Sequence, residues 1–275
     1  MKRVIWILVA AVIGLWLTVA LVVFASQRNM VFPRHLLPPV SRLDTLSRDV
    51  QEVTVETADG ERLYGLWKPP APGCSVVVSF HGNASIPGWA AERFSNGPWA
   101  EHGWGVLAIA YRGYPGSTGT PSETGLLEDG NAALAFVQKT APGSPILVHG
   151  HSLGTGVAIA MAATHEVVGA YLEAPYASLL SLAKRQFQYL PGFLMRDPMR
   201  SDLRIGQVRA PILAVHGKQD PVIPVASARA LILKASSSSR LIEVNGDHVS
   251  ILGLADDEAE PKFRQACRER AAEQD

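Results

Sequence analysis

The sequence predicts an α/β fold with a mostly parallel, eight-stranded sheet flanked by helices. Three observations carry this expectation. Six short apolar runs, at 75–80, 105–110, 145–148, 167–172, 211–215 and 240–244, show little alternation, as strands buried on both faces do. Helix-like stretches separate several of these runs. The chain has 275 residues, 47% apolar and 18% charged, which suits one sizeable domain with a large core.

The N-terminal segment stands apart. Residues 4–25 carry no charge, and as a helix they would reach roughly 33 Å, enough to cross a bilayer core. An uncleaved anchor over 1–26 is the preferred reading. A cleaved signal peptide is the alternative, because Lys2 and Arg3 form a basic start and Val23-Phe24-Ala25 weakly resembles a cleavage site. The same basic residues favour a cytoplasmic N-terminus and a single-pass protein, although Arg28, Arg34 and Arg42 beyond the span dilute that bias. The rest of the chain is then expected on the non-cytoplasmic side, periplasmic or extracellular.

Residues 27–48 read as a linker broken by Pro33, Pro38 and Pro39. The domain proper is expected over 49–275. It opens on an antiparallel hairpin, with Val53 and Val55 alternating up to Asp59-Gly60 and Leu63, Gly65 and Trp67 alternating after it. This hairpin and the six buried runs make eight strands. Helices are expected over 122–140, with a Ser cap, over 153–164, and over 224–235, which starts on proline. Residues 176–208 interrupt the pattern with Phe187, Tyr189, Leu190, Phe193, Leu194 and Met195 around Pro191-Gly192. They read either as a helical connection or as a small cap with an apolar underside.

Charge excludes some partners. Lys+Arg and Asp+Glu are both 25, so nothing points to nucleic acid. The two cysteines, Cys74 and Cys267, share no motif and read as unpaired thiols. No cluster has metal-ligand spacing and no loop is built to cradle phosphate, so no metal and no cofactor are expected.

The chemistry is expected at Gly150-His151-Ser152-Leu153-Gly154. A strand runs into this motif and a helix leaves it, which puts Ser152 on a sharp corner relieved by flanking glycines. A serine hydroxyl needs a base, and the base needs a carboxylate to hold its tautomer. Asp220 after the seventh strand and His248 after the eighth supply them in the order nucleophile, acid, base. Glu173, at the end of the sixth strand, is the alternative acid. Asp247 reads as a loop cap. His81, His149, His151 and His216 flank strand ends and read as satisfying local hydrogen bonds. Backbone N–H groups of Leu153 and Asn83 are the expected oxyanion donors, with Gly82 allowing close approach. Arg112, within Tyr111-Arg112-Gly113-Tyr114, reads as the partner of an internal carboxylate, with an anionic substrate as the alternative; the aromatics beside it could shape a pocket wall.

Taken together, these segments resemble the α/β-hydrolase superfamily, and within it the Bem46-like, or abhydrolase-domain-13-like, membrane-anchored serine hydrolases. The resemblance runs from the hydrophobic span through Met30-Val31-Phe32-Pro33, Phe80-His81-Gly82-Asn83-Ala84 and Tyr111-Arg112-Gly113-Tyr114 to Ser152, Asp220 and His248. It implies a triad of Ser152, Asp220 and His248 with oxyanion donors at Asn83 and Leu153. Pro115 departs from the glycine the family often carries there. The implied activity is hydrolysis of acyl esters or thioesters through an acyl-enzyme, on a small or lipid-like substrate. Peptidase or amidase activity and a non-catalytic membrane-anchored scaffold are the alternatives.

Overall fold

A computed structural model describes residues 1–40 and 46–274, with side chains through residue 265. Helix α1, Lys2–Val31, is the long apolar segment, and of its residues only Ala20 is buried. It runs five residues into the stretch read as linker. The reason is local: no proline occurs before Pro33, so nothing stops the helix earlier.

Strands β1, Gln51–Glu56, and β2, Arg62–Lys68, form the expected hairpin around Asp59-Gly60. Then follow β3, Val76–Phe80; α2, Pro87–Phe94; α3, Gly97–Glu101; β4, Gly105–Ile109; and α4, Glu123–Thr140. Ser122 caps α4 by accepting from the Gly125 N–H. Next come β5, Ile146–His151; α5, Leu153–Thr164; and β6, Gly169–Glu173. Two short helices, α6, Leu179–Gln186, and α7, Ser201–Arg204, lie in the inserted segment. The chain closes with β7, Ile212–Gly217; α8, Val225–Ile232; β8, Arg240–Val244; and α9, Asp256–Gln274.

The eight strands lie in the order β1-β2-β4-β3-β5-β6-β7-β8. The pairs β1–β2 and β2–β4 are antiparallel, and every pair from β4 through β8 is parallel. This is the mostly parallel sheet flanked by helices that the sequence predicts. Alternation along each strand sends side chains to two cores. Val76, Val78 and Phe80 pack with Leu126, Leu134 and Val157 from α4 and α5. Val77, Val106 and Leu147 pack on the other face with Phe94, Trp99 and Phe263 from α2, α3 and α9. Strand β8 lies at one edge of the sheet, as β1 does at the other, and none of its residues is fully buried. Helices α2, α3 and α9 carried no clear sequence signal. The first two are short and start around Pro87 and Gly97-Pro98, and α9 contains Pro261.

Candidate active site

Four loops meet at the carboxyl edge of the sheet, where open α/β sheets place their ligands. They follow β3, β5, β7 and β8. Between β5 and α5, Ser152 takes φ 50° and ψ −118°, a conformation that L-residues avoid. The neighbouring glycines make the corner possible. A Cβ on Gly154 would stand 1.9 Å from the Phe80 carbonyl oxygen, and one on Gly150 would stand 2.5 Å from the Gly154 oxygen. The corner is anchored by the Ser152 N–H, which donates to the Glu173 carbonyl at 2.9 Å.

The structure brings Ser152, His248 and Asp220 together. His248 Nε2 lies 2.9 Å from Ser152 Oγ, and His248 Nδ1 lies 2.7 Å from Asp220 Oδ2. A carboxylate only accepts, so Nδ1 carries the proton and Nε2 accepts from the serine hydroxyl. The Asp220 side chain is fully buried, and both its oxygens are used. Oδ1 accepts from the N–H groups of Val222 and Ile223, each at 2.8 Å. Burial works against its charge, yet hydrogen bonds from His216, His248 and Ile223 hold its carboxyl well below the usual range.

Glu173 does not reach His248. It is fully buried and pairs with Arg93 through two bonds, 2.7 and 3.0 Å, and with His149 Nε2 at 2.9 Å. It also accepts from the Gly253 N–H at 2.9 Å. Burial again opposes the charge, but Arg93 and His149 outweigh it and hold the carboxyl far down. The alternative acid is therefore committed elsewhere, as the centre of an ionic group beneath the Ser152 corner. Asp247 caps its loop by accepting from the Val249 and Ser250 N–H groups.

Of the four histidines read as locally bonded, His81 bonds the adjacent Gly82 carbonyl at 2.7 Å, whereas His149 and His151 make longer connections. His151 Nε2 lies 3.0 Å from the His248 carbonyl and so braces the base loop. His149 joins Ser79 to Glu173. His216 Nε2 lies 2.8 Å from the Ile223 carbonyl and 3.3 Å from Asp220 Oδ2, a second donor beside the acid. Local sequence gave no sign of the partners of His149 and His151, which lie on other strands and loops, whereas those of His216 lie in the loop that leaves its own strand.

Leu153 opens α5, so its N–H has no carbonyl within the helix to bond. Asn83 lies beside it because β3 and β5 are adjacent, and a Cβ on Gly82 would be 3.5 Å from Ser152 Cβ. Tyr111 and Tyr114 hold this loop. Tyr111 Oη donates to the His81 carbonyl at 3.0 Å, and Tyr114 Oη to the Asn83 carbonyl at 2.9 Å. The aromatic pair thus positions the Asn83 backbone, a role the sequence did not reveal, and neither ring lines the cavity over Ser152. Arg112 is structural: it bonds Asp129 at 2.7 Å and Asp59 at 2.6 Å.

Over Ser152 lies a cavity of about 450 Å³. Asn83 and Leu153 stand at its floor, and Tyr176, Leu179, Phe187 and Leu194 from the inserted segment cover it. Of the two readings of 176–208, the cap with an apolar underside describes this arrangement. Cys74 is unpaired, and Cys267 lies outside the described side chains.

Residues 71–196 match the family described as serine aminopeptidase, S33 (Hydrolase_4). The uncharacterized protein Rv2307c of Mycobacterium tuberculosis is 32% identical over 235 residues, covering 83% of this chain and 82% of that one. Lysophosphatidylserine lipase ABHD12 of Macaca fascicularis is 29% identical over 176 residues, covering 57% of this chain and 44% of its own length. Among solved structures, a Pyrococcus furiosus esterase superposes with a TM-score of 0.66 at 19% identity, covering 85% of this chain and 96% of that one.

Proposed function

The chain belongs to the α/β-hydrolase superfamily, and on that premise we propose that it is a serine hydrolase cleaving carboxylic esters or thioesters through an acyl-enzyme. The observation that carries this reading is the continuous chain of bonds from Ser152 Oγ through His248 to Asp220. His248 takes the serine proton as Oγ attacks the acyl carbonyl. The Leu153 and Asn83 N–H groups receive the developing oxyanion. His248 then passes the proton to the leaving alcohol or thiol, and the acyl group stays on Ser152. Water attacks next, with His248 as base, and releases the acid. Asp220 holds the ring in the Nδ1–H tautomer and stabilises its charged form.

Ester chemistry is favoured over peptide cleavage by the cavity lining. An aminopeptidase must hold a free amino terminus, and no Asp or Glu is among the described residues lining the cavity. The lining is mostly apolar, which suits an acyl chain. Long apolar α1 is consistent with a membrane anchor, and the reading places the hydrolase unit, 49–275 with its cap at 176–208, on the non-cytoplasmic side. A panel of p-nitrophenyl esters and aminoacyl anilides tests the chemistry. Turnover of esters, lost in Ser152→Ala, is expected. Faster turnover of anilides than of esters would move the assignment to peptidase.

A further inference from the structure

Helix α1 also shapes the space above Ser152. Its residues Ala20, Val23, Phe24, Met30 and Val31 form one wall of the cavity, opposite α6 and residues 187–195. Polar contacts fasten the helix to the cap at two levels. Near the middle of the helix, Trp16 Nε1–H donates to the Tyr189 carbonyl at 3.2 Å. Near its end, Gln27 donates to the Leu194 carbonyl at 3.1 Å and accepts from the Arg196 N–H at 2.8 Å. Arg28 makes a two-bond pair with Asp197, at 2.8 and 3.2 Å, and Asp197 also accepts from the Glu123 N–H at the start of α4. Three of these partners are cap backbone groups, so the contacts fix the register of helix and cap.

Depth follows from the helix geometry. Trp16 and Arg28 are twelve residues apart, roughly 18 Å along the axis. Trp16 and Phe24 belong to the uncharged run, whereas Gln27 and Arg28 sit just past it, where polar groups meet the bilayer boundary. The cap contacts the helix at both levels. Its Tyr189 and Phe193 are 80% and 85% exposed, apolar surface that lipid would cover. The cavity thus has Ser152 at its floor and, beside it, a helix wall continuous with the apolar span.

We propose that the groove between α1 and the cap is an acyl-chain site filled from the bilayer. The ester-linked chain of a membrane lipid lies between Ala20 and Phe24 on one side and Leu180 and Leu190 on the other, and its carbonyl reaches Ser152. Helix α1 is then a specificity element as well as an anchor. Each methylene buried in the groove should raise kcat/KM by up to roughly fourfold until the groove is full.

This inference rests on the serine-hydrolase reading, and the full-length protein in phosphatidylcholine vesicles tests the two separately. The probe is a fluorophosphonate on a long alkyl chain that ends in a photoreactive diazirine. After reaction at Ser152, light should crosslink the chain end to α1 around residues 20–31, alone or together with cap residues 179–195; crosslinks to the cap without α1 would overturn the assignment of the helix wall. Crosslinks confined to other parts of the chain, with Ser152 labelled, would overturn the acyl-site assignment alone. No Ser152 adduct would overturn the nucleophile and this inference with it. Ala20→Phe narrows the groove, while Leu21→Phe lies on an exposed face. Per labelled Ser152, the decanoyl-to-acetyl ratio of kcat/KM should fall at least about tenfold in the first and hold in the second. Equal ratios in Ala20→Phe and wild type would contradict the proposal. A long-chain ester lipid should be cleaved faster in the enzyme's own vesicles than in separate ones; equal rates would overturn delivery from the bilayer.

Discussion

Two carboxylates lie within reach of the Ser152 corner, and their surroundings separate them. Asp220 meets His248 Nδ1, whereas Glu173 is enclosed by Arg93, His149 and the Gly253 N–H. Their neutral variants should therefore fail differently. Asp220→Asn should keep the fold and lower kcat by about 10⁴, because the His248 tautomer is lost. Glu173→Gln should retain a measurable kcat but lose stability, since breaking a buried ion pair costs roughly 3–5 kcal/mol. Thermal unfolding beside steady-state kinetics checks both. A Glu173→Gln variant as inactive as Asp220→Asn, yet equally stable, would contradict the assignment. The order Ser152, Asp220, His248 was legible because each residue follows its own apolar strand at the sheet's carboxyl edge. The partner of Glu173 was not. Arg93 lies 80 positions away in a short helix that starts on Pro87, and no local pattern pairs the two.

At the scale of elements, the strand–corner–helix unit depends on close backbone approach. Gly154 faces the Phe80 carbonyl, so Gly154→Ala must push β3 and α5 apart. That variant should unfold at a much lower temperature or fail to fold. Gly206→Ala serves as the control, because its nearest neighbour would be 3.5 Å away, and its stability should change by less than about 1 kcal/mol. Equal stability of the two variants would contradict the geometry of the corner. Six strands were legible because their apolar runs show little alternation, and the hairpin because its residues alternate around Asp59-Gly60. Helix α9 was not, because charges fill its first turn and Pro261 interrupts its pattern, while among its described side chains the apolar ones in the core are Ala259 and Phe263.

At the scale of the whole molecule, buried histidines make the domain sensitive to acid. Burial lowers His81 and His151 to about 4 from an ordinary value of 6.5. Their folded values lie below their unfolded ones, so the unfolded chain binds more protons between these limits. The stability they contribute is complete above about pH 6.5 and is lost as the pH falls toward 4. The melting temperature should drop across that window. His151→Gln cannot charge and can still donate to the His248 carbonyl, so it should flatten part of the fall. An unchanged slope would contradict the assignment for His151. The contact between α1 and the cap is the feature of the whole chain that sequence concealed most fully. Residues 4–25 announce a span, but nothing in them tells that Trp16 meets Tyr189, or that Gln27 just beyond meets Leu194.

All three scales converge on one atom, Ser152 Oγ. Labelling by a fluorophosphonate at neutral pH tests its role most directly, read by mass spectrometry of the intact chain and its peptides. The expected result is a single adduct on Ser152, absent in Ser152→Ala and strongly slowed in His248→Ala. Labelling of Ser152→Ala at the wild-type rate, or no adduct on folded wild-type protein, would contradict the account.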